Sequence, residues 1–403
     1  MERTPMDPQR RLVNRAGLAG ALAWSARARG AWRPGPLVIW FTVEGSKALR
    51  RIGQRFTADT GVEVIVEAPD PLDGPSRFQQ LSAAGKGPDL YIYAHDRLGE
   101  WVESGLLHAV NPSRPIVDDI EPLAWRGFTY GGRIWGYPYA IEAVTLLYNK
   151  ALVATPPRSF EAVFALDAEL ARQRRHALLW DYTNAYFTWP LLAAGGGYAF
   201  RERPDGSYDA HDTGVADAGA VAGAELLARM IRGGLMPAGS GYPEMEAGIA
   251  QGRIASIISG PWSWLNLRRA GIDFGAARIP AVDGHAARPF VGIKGVLVNR
   301  ASRQVELATE FVEHYMLALP GLREIDRTEA IGAPASRAYY AERAGDPGIA
   351  AIMASARDGV PTPSNPEMGR FWSSMKTALL NLTEGRQTPR AALEAAARRI
   401  VAS

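Results

Sequence analysis

The stretch "LVIWFTVEGSKALRRIGQRFTADTGVEVIVEA", residues 37–68, decides the fold. Its opening "LVIWF" is a short apolar run after Pro36, the pattern of a buried strand. "SKALRRIGQRFTADTG" then sets Leu49, Ile52 and Phe56 at i, i+3 and i+7 with Lys and Arg opposite. Gly61 stands where a helix ends in a left-handed residue. "VEVIVEA" (62–68) returns to a strand. A strand, helix and strand with a crossover of this length make a βαβ unit, which implies parallel strands and an α/β lobe.

Downstream the pattern repeats, with "RFQQLSAAG" as helix and "DLYIYA" as strand. The carboxyl end of that strand delivers Asp96 and Arg97. Open α/β sheets bind ligands beyond the carboxyl ends of their strands, so this pair is a candidate site as well as an ordinary polar strand end. "GGRIWGYPYAIEAVTLLYNKAL" (131–152) reads as two extended runs broken at Pro138, with Glu142 inside an apolar stretch. A carboxylate there is costly to bury without partners, so it faces water or a cleft.

A second α/β region follows. It comprises a helix over 159–173, strand "HALLWD", helices over 186–195, 214–233 and 243–251, and strand "IASIISG". "GPWSWLNL" (260–267) opens a helix, "FVGIKGVLVN" (290–299) is a strand, and "VELATEFVEHYML" is amphipathic. The tail is helical in "FWSSMKTALLNL" (371–382) and "TPRAALEAAARRIVA". Repeats, heptads and low-complexity linkers are absent.

With 403 residues, 47% hydrophobic and 22% charged, the chain has the composition of a soluble globular protein, long enough for one two-lobed unit or two domains. No apolar stretch approaches the roughly 20 residues of a membrane-spanning helix. The net charge of +3 is misleading, because seven arginines (3, 10, 11, 15, 27, 29 and 33) lie in residues 1–34 against Glu2 and Asp7. The remainder is slightly acidic and lacks a long Lys/Arg run, which excludes the electrostatic footprint of a nucleic-acid binder.

That basic head, the apolar "AGLAGALAW" (16–24) and the small residues of "SARA" form the three regions of a secretory signal, with cleavage expected between Ala28 and Pro34. Cysteine is absent. This excludes disulfides, thiolate metal sites, a cysteine nucleophile and lipidation at an N-terminal cysteine. An exported, unlipidated protein confined by a second membrane is periplasmic.

Aromatic residues gather at breaks and element starts. Trp262 follows Gly-Pro, Tyr186 opens a helix, and Trp372 shares a helix face with Lys376. Their company is Asp, Glu, Asn, Arg and Lys rather than His or Cys. Pyranose C–H faces stack on rings, and sugar hydroxyls take charge-assisted hydrogen bonds from such side chains, so the combination reads as carbohydrate binding. The six histidines include no pair at metal-ligand spacing, "GGG" (195–197) is not followed by GK[ST], and no G-x-S-x-G occurs. No metal or cofactor is expected.

"DTGVEVIVEAPD", "GPDLYIYAHDRLGEWVESGLL", "YPYAIEAVTLLYNK", "AYFTWPLLAAGGGYAF", "SGPWSW", "RPFVGIKGVLVN" and "FWSSMKTALLNLTEGRQT" are similar in order and spacing to the bacterial periplasmic maltose/maltodextrin-binding proteins. These are the extracellular solute-binding subunits of ABC sugar importers, and the resemblance runs from about Leu37 to the C-terminus. It implies a two-lobed α/β fold, each lobe a mainly parallel sheet flanked by helices, closing by hinge bending about a cleft. The lobes are expected at 35–141 plus 294–341 and at 142–293 plus 342–403.

The resemblance also implies a ligand site of Asp96, Arg97 and Glu142 with the aromatic platform Tyr186, Trp262 and Trp372, and Tyr242 near it. Tyr93 stands where the family has Trp, Asn184-Ala185 where it has Glu-Pro, Ser373 where it has Tyr, and Lys376 where it has Arg. The first binding loop keeps an acid at Glu44. The implied ligand is maltose, a maltodextrin or a related α-linked oligosaccharide, and the implied partner is an inner-membrane ABC permease served by a monomer. A binding protein for trehalose, sucrose or another solute is an alternative. So is a glycoside hydrolase, which would need two carboxyls about 5–10 Å apart, with only Asp96 and Glu142 as candidates.

Overall fold

The computed structural model of the protein describes residues 35–70, 73–203 and 206–402. The expected secretory segment, 1–34, lies outside them. β1 (Leu37–Trp40) and β2 (Val64–Glu67) pair in parallel, Leu37 opposite Val64, across α1 (Val43–Thr60). Leu49, Ile52 and Phe56 are the buried stripe of α1. Gly61 ends it at φ +74°, a conformation glycine adopts without a Cβ clash. At the other end, the Thr42 side chain accepts the Gly45 amide as N-cap. After α2 (Gly74–Ala83), β3 (Leu90–Ala94) adds to the other edge of β1, also in parallel.

β4 (Gly136–Ala143) runs unbroken through Pro138, where two separate runs were expected. Pro138 faces Gly295 where the partner strand's register shifts between Lys294 and Gly295, so its missing donor falls at an irregularity of the ladder. One residue, Val144, separates β4 from β5 (Thr145–Asn149). There follow β6 (His176–Leu179), α3 (Ala185–Ala194), α4 (Ala218–Arg232), β7 (Ile254–Ser259) and β8 (Phe274–Ala277). β9 (Phe290–Val298), β10 (Ala333–Pro334), α5 (Pro347–Asp358), β11 (Val360–Pro361), α6 (Met368–Thr383) and α7 (Pro389–Ile400) complete the frame.

Two larger sheets result. The seven-stranded one has the order β10-β4-β9-β3-β1-β2 with β11 on β9, and the four-stranded one the order β8-β5-β7-β6. Both are mixed rather than mainly parallel. β9 is antiparallel to β3 and β4, and β5 is antiparallel to β7 and β8. The cause is the chain path: β4 leaves the first sheet for the second and β9 returns, so strands that traverse in opposite senses lie side by side.

Three crossings join the sheets: Val144, residues 278–289, and residues 362–367, after which α6 packs on α3 and α4. The lobe boundaries expected at 141/142 and 293/294 fall inside β4 and β9, both of which run on within one sheet. Trp189 of α3 stacks on Phe290 of β9 at 4.7 Å, and Phe371 of α6 closes edge-on against both. Aromatic packing of this kind anchors the second and third crossings beside each other.

Candidate ligand-binding site

β3 ends in the turn His95–Arg97, and its three residues are put to different uses. His95 is buried. Its Nδ1 accepts the Ile293 amide at 3.1 Å and its Nε2–H donates to the Thr362 carbonyl at 2.8 Å. One imidazole thus ties the end of β3 to β9 and to the third crossing, and burial holds its pKa below the ordinary value. Asp96 follows, with Oδ1 buried and without a hydrogen-bond partner. Burial raises its carboxyl above the usual range, against the opposing pull of His95 and Arg97. Arg97 remains 40% exposed and reaches Glu100 at 3.5 Å.

Glu142 sits on β4, 7% exposed, opposite Gly292 of β9. A Cβ at Gly292 would come within 3.4 Å of the Tyr186 hydroxyl, so the glycine keeps the floor clear beneath that ring. Lys294 Nζ lies 3.0 Å from Glu142 Oε1 and 2.9 Å from Glu329 Oε1. Burial lifts the Glu142 carboxyl, with Lys294 opposing it. Burial would lower Lys294, but Glu142, Glu329 and Tyr139 outweigh it and hold the ammonium well above its usual range. Lys294 is therefore charged at neutral pH.

The walls are aromatic. Tyr186 and Trp262 stand 6.1 Å apart with Phe187 behind both. Tyr186 is aimed by Asn184, whose side chain caps α3 by accepting the Tyr186 amide at 3.1 Å. Trp372 of α6 packs edge-on against Phe290 at 5.6 Å. Tyr93 stacks on Tyr91 at 5.2 Å, and burial pushes its hydroxyl to about 12.

Tyr93, Asp96, Glu142, Tyr186, Trp262 and Trp372 line one cavity of about 300 Å³, together with Ala94, His95, Gly292 and Thr362. All three crossings meet this space, through Glu142 before the first, Gly292 after the second and Thr362 in the third. Its chemistry is that of rings around buried carboxylate acceptors, suited to a neutral, hydroxyl-rich molecule with apolar faces.

Five expected residues lie outside that lining. Glu44 is in the first turn of α1, and Arg97 faces Glu100. Asn184 is spent on its cap, and Tyr242 packs on Phe187 with its hydroxyl near Glu246 and Ser263. Lys376 is exposed one helical turn beyond Trp372. Residues that sequence reading passed over are His95, Gly292, Lys294, Glu329 and Thr362. Lys294 carried the same signal as Glu142, a lone charge in an apolar strand.

A larger hollow of about 880 Å³ backs onto His95 and Thr362. Its carboxylates Glu103, Glu202 and Glu367 are already engaged, by Tyr130, by Arg126 and by the Asn365 amide. The smaller cavity is the one that sets carboxylate oxygens without an aligned donor, Asp96 Oδ1 and Glu142 Oε1, among aromatic rings. No group of His, Cys, Asp or Glu among the described residues has the arrangement of a metal site.

Residues 42–317 match the family described as bacterial extracellular solute-binding protein. The chain is 28% identical to a galactooligosaccharide-binding protein of Bacillus subtilis, over 93% of this chain and 90% of that one. It is 27% identical to a maltodextrin-binding protein of the same organism (79% and 76% covered), and 25% to a maltotriose-binding protein of Pyrococcus abyssi (86% and 77%). A maltooligosaccharide ABC transporter solute-binding lipoprotein of Streptococcus pneumoniae is 26% identical over 87% of this chain and 84% of its own.

Proposed function

The chain belongs to the bacterial extracellular solute-binding protein family, and from that premise we propose that it is the oligosaccharide-binding subunit of an ABC importer. The ligand is a maltodextrin or a galactooligosaccharide, the solutes named for its relatives. One observation carries the reading. Tyr186, Trp262, Trp372 and Tyr93 enclose the same small cavity as the half-buried Asp96 and the buried Glu142, each with one buried oxygen, Asp96 Oδ1 and Glu142 Oε1, lacking an aligned hydrogen-bond donor. Rings offer stacking faces to a pyranose, and the acids accept from its hydroxyls.

The protein works without chemistry on the sugar. It acts as an exported monomer in the periplasm that hands its ligand to an inner-membrane permease. The hinge consists of Val144, 278–289 and 362–367, which places the lobe divisions just outside β4 and β9. The relatives' names describe binding proteins, which supports a non-enzymatic role.

The test is a tryptophan-fluorescence titration with maltose, maltotriose, galactotriose, trehalose, sucrose and glucose, followed by chromatography of each mixture. Saturable change with recovered, intact maltodextrin or galactooligosaccharide is expected. Cleaved sugar would replace the proposal with a hydrolase, and response only to trehalose or sucrose would replace the ligand class.

A further inference from the structure

The floor of the site continues beyond the aromatic cavity as a chain of charge. Lys294 lies two residues past Gly292 on β9, so the two share a face of the sheet. Its register neighbour Ala94 lines the cavity, as does Gly292. The ammonium donates to Glu329 Oε1 at 2.9 Å. Its 3.0 Å approach to Glu142 Oε1 is out of line for a hydrogen bond, which leaves that oxygen charge-compensated but without an aligned donor. Glu329 Oε2 in turn accepts from the Thr42 hydroxyl at 2.5 Å, and Thr42 caps α1.

The arrangement is weak evidence of a purely stabilising role, since buried ion pairs are often matched or bettered by apolar packing of similar volume. Nor is it sealed: the Lys294 side chain is 21% exposed and that of Glu329 12%. Of the three ammonium protons, one is aligned on Glu329. Acceptor, donor and acceptor therefore alternate along a floor that is partly open at Lys294 and Glu329 and closed over at Glu142 Oε1.

We infer that Lys294 and Glu329, with Glu142, form a subsite for a vicinal diol of one sugar ring. One hydroxyl donates to Glu142 and its neighbour to Glu329, while both accept from the ammonium between them. Two carboxylates about a single lysine leave the floor negative, so the subsite takes a neutral sugar and rejects a uronate. The inference rests on the oligosaccharide reading and names the part of the ligand that this floor recognises.

Titrations of the full chain with maltotriose, galactotriose and their monodeoxy forms test it. The wild-type protein is expected to bind one parent trisaccharide about tenfold or more tightly than the two forms that lack either hydroxyl of one diol. In Lys294→Met and in Glu329→Gln, the parent should bind about tenfold more weakly and the preference over those two forms should shrink to about twofold or less. Trp262→Ala, which removes a stacking face, should weaken all forms together and keep the ratio.

Circular-dichroism melting establishes that each variant is folded. Glu329→Gln removes charge without changing shape and carries the test alone if Lys294→Met does not fold. An unchanged ratio in the folded variants overturns the subsite and leaves oligosaccharide binding standing. If neither trisaccharide binds the wild-type protein, the oligosaccharide reading falls and the subsite with it.

Discussion

Trp262 and His95 show what single residues contribute. Trp262 shares the cavity wall with Tyr186 and is backed by Phe187. Trp262→Ala removes both a stacking face and buried area, and the affinity for the bound oligosaccharide is expected to fall by about tenfold or more in fluorescence or calorimetric titration. Unchanged affinity would take the ring out of the site. His95 acts on stability. Burial depresses its pKa below the ordinary 6.5, so the unfolded chain takes up a proton that the folded chain refuses. The stability due to neutral His95 is full above that value and is lost as pH falls below it toward the lowered folded value. Asp96, raised by burial, pulls the other way and is present in both proteins. His95→Gln should therefore flatten the fall in unfolding free energy from about pH 7 to 5 in urea titrations; parallel slopes would count against it. Asp96, Glu142 and the aromatics at element starts were legible because each broke a local pattern. The partnership of Lys294 and Glu329 was not, because their contact with each other and with Glu142 depends on tertiary placement that no local pattern encodes.

At the scale of elements, α3 shows how a cap serves a site. Asn184 accepts the amide of Tyr186, the residue whose ring forms the wall, so one hydrogen bond both starts the helix and points the side chain. Asn184→Ala should cost about 1 kcal/mol in urea unfolding and also weaken sugar affinity. Loss of stability with full affinity would separate the two roles. The same level shows where pattern reading stops. The strand at 37–40, its helix and their parallel partner were readable from periodicity alone. The directions of β4 and β9 were not, since periodicity carries no information about which lobe a strand comes from. Pro138 looked like a break for a related reason: the ladder irregularity that tolerates it belongs to β9, more than 150 residues away.

For the whole molecule, the meeting of all three crossings at the cavity would tie ligand contact to the geometry of the proposed hinge. Bending at that hinge would move Glu142, Gly292 and Thr362 relative to the rings of Tyr186, Trp262 and Trp372, and a ligand touching both sets would favour one closed arrangement. Small-angle scattering should show a smaller radius of gyration at saturating oligosaccharide, and an unchanged radius would count against closure. The crossings have a further consequence, for cleavage of the chain. A cut within 278–289 leaves an N-terminal piece holding every strand of the second sheet but lacking β9, which sits between β4 and β3 in the first, while α6 and α7 go with the C-terminal piece. Neither piece can complete a lobe, yet each holds what the other lacks. The two are obligate complements, and the site would exist only in their reassembled pair.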